Sequence, residues 1–417
     1  PTAHPTLRGQ GSQHGYGTQK KATLTGAVAT VKGDDIQRVP TASVQNALTG
    51  KMPGFTSQQR TGIPGEDGAA FFIRGQSTFN GKNEPLILLD DIEYSYSQFA
   101  RLDANEIESV SILKDASSTA IFGIKGANGV VLVTTKRGKT GKPRISVKSE
   151  TSFSQPTIFP KFLDAYETAS LYNQSQINDN NFLPSPVPNF KPRFTDEDLR
   201  LFQSGEDPWG HPNVDWNDVL FKDFTTQYRN NLDISGGTEK VRYFVSAGYL
   251  RQNGMLKDFG SDNGLNSDYY YKRYNYRSNL DIKATKTLDL RFDMYGNVGE
   301  KNEPRPQGGG SNTDIFYDYN NFKVLAPFAY NIYNPNGTYT YATLYPEMYS
   351  TINNVVGRLA NNGYYRNFEN NMYLAVNANQ KLDFITKGLS FKGVMSYASM
   401  HTYNRDMGFP TDATVDL

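Results

Sequence analysis

A polar loop that follows a predicted buried strand carries the side chains most suited to binding a ligand. It has the sequence Arg-Gly-Gln-Ser-Thr-Phe-Asn-Gly. Phe79 can stack on the face of a sugar ring, because an aromatic ring offers a flat apolar surface. Gln76, Ser77 and Asn80 can hydrogen-bond to hydroxyl groups. The alternative is an ordinary polar loop in which Arg74 pairs with a carboxylate.

A second candidate is the aromatic segment Asp-Ile-Glu-Tyr-Ser-Tyr-Ser-Gln-Phe, which ends at Phe99. Tyr94, Tyr96 and Phe99 can form an aromatic platform beside a cavity. Packing of this segment against the wall of a surrounding barrel is the alternative interpretation.

Catalytic chemistry is poorly supported, so the sequence predicts no enzyme, no metal site and no cofactor. The four histidines are scattered, and neither His-Glu-x-x-His nor Gly-x-Ser-x-Gly occurs. The chain contains no cysteine, which excludes thiolate metal sites and cysteine nucleophiles. Asp90 and Asp91 are adjacent in a predicted strand, where their carboxylates would point apart.

The elements that must position these residues are predicted to be mainly β. Tyr (27) and Phe (25) are abundant, and Lys+Arg (43) nearly balance Asp+Glu (42), which gives no basic surface for nucleic acid. No apolar run approaches the roughly 18 residues of a membrane helix. In a membrane barrel only alternate residues face lipid, so this composition fits a barrel, although soluble β-sandwiches share it.

Three regions follow one another along the chain. Residues 1–22 are rich in Gly, Gln, His and Thr and are predicted to be a flexible segment. Residues 23–142 alternate short helices with short strands and are predicted to form a small mixed α/β domain. Continuous apolar or β-branched runs predict its buried strands, at Ala69–Ile73, Leu86–Leu89 and Val130–Thr135.

Residues 143–417 show the period-two alternation of antiparallel strands. Tyr274 to Lys283 is the clearest case, with tyrosines and aliphatic residues on one face and polar or charged residues on the other. Each such segment has about ten residues or slightly more, the length that a tilted strand needs to cross a bilayer. The predicted strands lie near 144–153, 225–235, 241–251, 274–283, 288–298, 371–383 and 389–402.

The connections between these strands alternate between long and short. Connections of about seventy, twenty and seventy residues alternate with tight turns, and the first long one contains a predicted helix at 163–174. Membrane barrels have short turns at one end of the sheet and long loops at the other, whereas nothing in a soluble sandwich requires this separation. Because seven is an odd number and an unpaired edge cannot lie in lipid, we expect an incomplete, truncated barrel.

Several long blocks, in the right order, resemble the SusC/RagA-type TonB-dependent outer-membrane transporters. The longest runs from Ile112-Leu-Lys-Asp-Ala-Ser-Ser-Thr-Ala-Ile-Phe-Gly into Gly-Ala-Asn-Gly-Val-Val-Leu-Val-Thr-Thr-Lys-Arg-Gly138. The resemblance covers most of residues 15 to 300. The blocks lie at 15–21, 43–54, 73–75, 112–123, 126–138, 215–216 and 234–238.

The resemblance implies that 23–142 is a plug inside a barrel of about 22 strands, of which this chain holds the first seven or so. It implies import across the outer membrane of a Gram-negative cell. The imported nutrient would be a glycan oligomer, with a peptide as the second candidate. The implied partners are TonB, which supplies energy, and a SusD-like surface lipoprotein. The loop from Arg74 would rise towards the substrate, and Lys114, Asp115, Lys136 and Arg137 would hold the plug in the barrel.

The sequence departs from the family at its beginning and in its length. Residues 1–14 hold no apolar stretch with the TonB-contacting box. We expect this chain to lack the N-terminal sandwich domain that many members carry. With about two-thirds of the barrel missing, we expect no transport by this chain as given. A signal-transducing relative and a soluble or surface carbohydrate-binding β-protein are the alternatives.

Overall fold

The computed structural model describes most of the chain and places it in three layers: a plug, a wall of long strands and a layer of outer loops. The described residues are 11–14, 17–20, 28–59, 61–73, 75, 83–158, 160–260, 265–305, 325–340, 343–345 and 354–408. Near the N-terminus, strands β1 (Gly11–His14) and β2 (Gly17–Lys20) pair as a short hairpin. The flexibility expected for residues 1–22 stays a prediction.

The plug consists of two small sheets with short helices packed around them. Its five-stranded sheet has the order β3-β8-β9-β6-β7, in which only β6 and β9 are parallel, and β4 pairs with β5 in a separate sheet. The strands are β3 (Val28–Lys32), β4 (Phe55–Gln59), β5 (Ala69–Ile73), β6 (Leu86–Leu89), β7 (Ile92–Tyr94), β8 (Ile107–Leu113) and β9 (Val130–Thr135). The helices are α1 (Gly33–Gln37), α2 (Val44–Ala47), α3 (Tyr96–Ala100) and α4 (Ala116–Thr119), with 3₁₀ turns at Ala104–Glu106 and Ala120–Gly126.

Continuous apolar runs become the central strands of the plug, as their sequence predicts. Val130, Val131 and Val133 of β9 are almost fully buried, and β9 lies between two neighbouring strands that cover its edges. A run with apolar side chains on both faces is stable only where both faces are covered. The strands predicted at Ala69–Ile73, Leu86–Leu89 and Val130–Thr135 are confirmed.

The wall is one antiparallel sheet of seven strands in sequential order, so each strand pairs with the next along the chain. All seven predicted strands are confirmed, and each has 13 to 18 residues, longer than the roughly ten that cross a bilayer. They are β10 (Gly141–Ser154), β11 (Thr225–Gly237), β12 (Val241–Asn253), β13 (Tyr270–Lys283), β14 (Leu288–Pro304), β15 (Tyr364–Lys381) and β16 (Ser390–Met407).

The connections have the predicted parity: the turns after β11, β13 and β15 are short, and the connections after β10, β12 and β14 are long. All short turns therefore lie at one end of the sheet. The long connections carry α5 (Ala165–Asn181), α6 (Asp196–Ser204), α7 (Trp216–Leu220) and α8 (Val355–Asn361). The helix predicted at 163–174 is confirmed as α5, which continues further. No helix among the described residues is both long and apolar enough to cross a membrane.

The long connections after β10 and β14 pack on each other and form a loop layer with its own hydrophobic core. Phe194 lies at its centre, with ring centroids 5.1 Å from Phe328 and 5.6 Å from Tyr345. A second cluster joins Trp216 of α7 to Tyr330 at 5.1 Å. The loop layer is thus a packed structure whose two halves are more than 100 residues apart in sequence.

Candidate functional site

The wall is polar on the face that meets the plug and apolar on the opposite face. Along β13, Arg273, Asn275, Arg277 and Asn279 are each 6% exposed or less, whereas Tyr274 on the opposite face is 51% exposed. Alternation of side chains along a strand produces the two faces. A soluble sheet would bury its apolar face, so the wall has the inside-out arrangement of a membrane barrel.

Arg137, which follows the last plug strand, binds an acidic cluster on the wall. Its guanidinium lies 3.1 Å from Asp281 and 2.9 Å from Asp293, both on wall strands. Asp90 of the plug lies 3.4 Å away on the other side. Burial opposes the charged form of Arg137, but the three carboxylates outweigh it and raise its pKa. The predicted contact of Arg137 with the wall is therefore confirmed.

Asp90 and Asp91 form the turn between β6 and β7, and their placement in a strand was wrong. Both have positive φ, 46° and 76°, which the two-residue turn of a hairpin requires and which Asp tolerates better than most residues. The turn aims Asp90 at Arg137, and it brings Asp91 to 3.0 Å from Lys392 of β16.

Glu106 and Arg277 form an ion pair that is removed from water. Arg277 Nε donates to Glu106 Oε2 at 2.6 Å, and the two side chains are 1% and 3% exposed. The guanidinium also lies 4.6 Å from the ring centre of Tyr295, within the range of a cation–π contact. Burial raises the pKa of the Glu106 carboxyl, although the Arg277 guanidinium acts in the opposite direction.

Short polar side chains after α3 make the next set of contacts with the wall. Asn105 donates to both carboxylate oxygens of Asp233 at 2.7 Å, and Asn231 donates to Asp103 at 2.9 Å. Asp103 also caps the 3₁₀ turn, since it accepts from the backbone N–H of Asn105 at 2.8 Å. The cap fixes the direction in which both plug side chains point.

Longer side chains hold the remaining edge of the plug. Arg101 pairs with Glu369 at 2.6 Å, and Lys301 of the wall pairs with Glu66 at 2.5 Å. The interface is therefore built mainly from hydrogen bonds and partly hydrated ion pairs. Such contacts separate at less cost than a dry apolar interface of the same area, because water can replace each partner.

A cavity of about 170 Å³ lies between the plug and the wall, beside the buried ion pair. Tyr94 of β7 and the wall residues Tyr295 and Tyr373 line it as stacked rings, with centroids 4.5 to 5.7 Å apart. The hydroxyls of Tyr94 and Tyr295 and Nη2 of Arg277 are buried and have no hydrogen-bond partner among the described residues. All three groups donate hydrogen bonds, so the cavity is suited to water or to an acceptor on a ligand.

The aromatic platform predicted from Tyr94, Tyr96 and Phe99 is not an open surface in this structure. Tyr94 is 6% exposed and stacks on the wall, and Phe99 is fully buried inside the plug. Tyr96 donates to the carbonyl of Phe71 at 2.5 Å and stacks on its ring at 4.5 Å. Packing against the wall therefore describes Tyr94, whereas Tyr96 and Phe99 pack inside the plug. The other candidates, Arg74, Gln76, Ser77, Phe79 and Asn80, lie outside the described residues.

Two other predictions about plug-holding residues differ from the structure. Lys114 hydrogen-bonds to the carbonyl of Pro53, so it acts within the plug rather than on the wall. Lys136 meets the wall through its backbone, whose carbonyl accepts from Asn279 at 2.8 Å. Sequence reasoning missed Glu106 as a wall contact. The available signal was Arg277 itself, a charged residue at a position of the alternating pattern that faces the interior.

In the loop layer, His211 lies between two carboxylates. Its Nδ1 is 2.8 Å from Asp207 and its Nε2 is 3.1 Å from Asp198 at the start of α6. Partial burial lowers the pKa of His211, but the hydrogen bonds with both carboxylates outweigh it, so the pKa lies above its ordinary value. The backbone N–H of Gly210 and the imidazole lower the pKa of Asp207.

Comparison with known proteins gives consistent matches. Residues 20–130 match the model of the TonB-dependent Receptor Plug Domain. TonB-dependent receptor P26 of Formosa agariphila is 34% identical over 293 residues, which cover 69% of this chain and 26% of that protein. TonB-dependent receptor SusC of Bacteroides thetaiotaomicron is 32% identical over 251 residues, which cover 58% of this chain and 22% of that protein.

Solved structures match the fold over nearly the whole chain. The RagAB peptide importer in its open-open state superimposes with a TM-score of 0.69 at 21% identity, covering 95% of this chain and 43% of that one. Its closed-closed state gives a TM-score of 0.68. The chain spans about a quarter of the length of the curated relatives that it matches.

Proposed function

Because this chain belongs to the SusC/RagA-type TonB-dependent receptors, we propose that the whole protein imports a nutrient oligomer across the outer membrane. The observation that carries the proposal is the seating of the plug on a wall whose inner face is polar and whose outer face is apolar. A plug held by replaceable polar contacts can be displaced by an external force without exposing a large apolar surface to water. TonB is the proposed source of that force.

The proposed substrate class is glycan rather than peptide. Its support is the loop with Phe79, Gln76, Ser77 and Asn80, where an aromatic face is combined with amide and hydroxyl groups. The structural neighbours named as a peptide importer provide the second candidate. A SusD-like lipoprotein is the proposed partner on the outer side, where the packed loop layer offers a preformed surface.

The two alternatives have less support. A soluble carbohydrate-binding protein would bury the face that carries Tyr274, Phe292 and Met294, but these side chains are 38% to 51% exposed. A signal-transducing relative would share the plug and the wall, and it would differ in what the plug contacts on the inner side.

Uptake of fluorescent oligosaccharides and oligopeptides of matched size tests the proposal. Cells that express the whole receptor should accumulate the oligosaccharide, and cells without TonB should not. Accumulation of the peptide alone would replace the glycan assignment with the second candidate. Accumulation that does not depend on TonB would contradict the mechanism, and binding without uptake would favour the signalling relative.

Phe79→Ala should weaken oligosaccharide binding about tenfold, because one stacked ring contributes of the order of 1–1.5 kcal/mol. Phe153→Ala is the control, since Phe153 is 70% exposed on β10, away from the plug. Equal affinities of both variants and the unmodified receptor would remove the loop from the binding site.

A further inference from the structure

The outward face of the wall is divided into an apolar band and a charged rim. The band begins near the short turns with Ile282 and Leu290, which are directly opposite each other. It continues through Leu280 and Phe292 and ends at Tyr274 and Val298, again an opposed pair. The eight steps from Ile282 to Tyr274 advance about 27 Å along the strand. At a tilt of about 40° this equals roughly 21 Å of height, close to the apolar band of a membrane barrel.

Four cations occupy the next two rows on the side of the long connections. Arg251, Lys272, Arg366 and Arg405 share the outward face with Tyr274. Lys272 lies two residues from Tyr274 on the same strand, and each of the other three lies two or four residues from the residue that pairs with Tyr274 in the register of its own strand. The rim therefore follows directly above the tyrosines at the edge of the apolar band. In a membrane, headgroups lie at this height.

The rim places like charges directly opposite each other twice. Arg251 is paired with Lys272 across β12 and β13, and Arg366 is paired with Arg405 across β15 and β16. Opposed like charges destabilise a sheet unless an anion compensates them. On these strands the carboxylate nearest to Lys272 and Arg366 is that of Glu300, at 3.8 and 3.9 Å. Asp268, in the loop before β13, interacts electrostatically with Arg251. The four cations are not balanced by these two carboxylates.

Aromatic rings hold the cations in place while leaving donors available. Lys272 Nζ lies 4.3 Å from the ring centre of Tyr270, and the guanidinium of Arg366 lies 4.5 Å from that of Tyr364. Arg251 and Arg366 each donate through Nε to a neighbouring amide oxygen, on Asn253 and Asn302. Within the described part of the chain, their Nη groups make no hydrogen bond. Such a group is suited to phosphate, which guanidinium binds with two parallel hydrogen bonds.

We propose that Arg251, Lys272, Arg366 and Arg405 bind the phosphorylated headgroup of a lipid in the outer leaflet. The acyl chains of that lipid lie along the apolar band below the rim, so one ligand satisfies both surfaces. This proposal rests on the proposed function in one respect only, namely that the wall lies in the outer membrane. It does not depend on the imported substrate.

The test measures lipid retention by the whole purified receptor. Mixed micelles contain either a glucosamine-disaccharide lipid with two phosphates or its dephosphorylated form, and native mass spectrometry counts the lipids that stay bound. The unmodified receptor should retain the phosphorylated lipid about tenfold better. The double variant Lys272→Gln/Arg366→Gln should lose that preference, and Lys272→Arg/Arg366→Lys should keep it.

The matched control is Lys283→Gln/Lys286→Gln, which removes two exposed lysines at the opposite end of the wall. It should retain the preference. Equal retention of the two lipids by the unmodified receptor, or an equal loss in the control, would overturn the proposal. If Lys272→Gln/Arg366→Gln lowered the binding of inorganic phosphate but left retention of the phosphorylated lipid unchanged, the lipid assignment would be overturned. Heat-modifiable migration is recorded for every variant, and its absence in the unmodified receptor would instead contradict the membrane location.

Discussion

At the scale of single residues, the Glu106–Arg277 pair is the plug–wall contact most sensitive to loss of one partner, because neither charge reaches water. Glu106→Ala should weaken that seating by about 3–5 kcal/mol, since it leaves the Arg277 charge buried without a partner. The double replacement Glu106→Leu/Arg277→Met should recover most of the loss, because it removes both charges. Hydrogen exchange of β8 in the assembled receptor measures the effect.

Glu93→Ala is the control for that experiment. Glu93, like Glu106, forms an ion pair, but its partner Lys125 belongs to the plug itself. The side chains of Glu93 and Lys125 are 55% and 64% exposed. An exposed pair contributes at most about 1 kcal/mol. Equal exchange rates for Glu93→Ala and Glu106→Ala would show that burial of the pair has no energetic consequence.

His211 makes the loop layer sensitive to pH. Its pKa is raised in the folded protein, so the contact contributes stability that is fully present below the ordinary histidine pKa of about 6.5. That stability is lost as the pH rises through the raised value. Because the pKa values of Asp198 and Asp207 are lowered in the folded protein, both carboxylates stay charged at every pH above their ordinary pKa of about 4.

The expected result is that protease cleavage near His211 is slowest between about pH 4 and 6.5 and becomes faster above this range. A peptide substrate of the same protease, measured at each pH, corrects for the enzyme. His211→Gln should remove the pH dependence above 6.5. If both proteins respond identically to pH, the two carboxylates do not hold the loop through the imidazole.

At the scale of elements, the packing of the two long connections is the feature with the clearest consequence. Phe194→Ala should destabilise the loop layer by about 3–5 kcal/mol, because the ring is 2% exposed and a cavity would remain. Hydrogen exchange should increase both around α5 and α6 and in the described residues 325–340 and 343–345, since the two halves share this core. Phe182→Ala is the control, as Phe182 is 88% exposed.

Period-two alternation predicted the strands, but it did not predict their full length. β15 begins at Tyr364 rather than near 371, and β13 begins at Tyr270. The missed residues lie beyond the apolar band, where both faces carry polar or aromatic side chains and the alternation disappears. Hydrogen bonds between neighbouring strands continue in these residues, but no local sequence pattern indicates them.

At the scale of the whole molecule, the sequence predicted the order of plug and wall and the parity of the connections. It predicted the contact of Arg137 with the wall through the resemblance to plugged transporters. It did not predict the partner of Glu106, because Arg277 is 171 residues away and only the register of β13 on the plug brings the two together. Long-range pairings of this kind depend on how two folded layers dock.

The proposed import mechanism requires the plug to separate from the wall. Asn105 and Asp233 face each other at 2.7 Å across the interface, and the chain has no cysteine of its own. In the whole receptor, cysteines at these two positions can be joined by a short bifunctional thiol reagent that a reductant cleaves. The control pair is Asn367→Cys/Asn404→Cys, which joins two wall strands and leaves the plug free.

Uptake of labelled oligosaccharide by these cells is the measurement that tests the claim most directly. Uptake should stop when plug and wall are joined, return after reduction, and remain unaffected in the control pair. Undiminished uptake with the plug still joined to the wall would contradict the account.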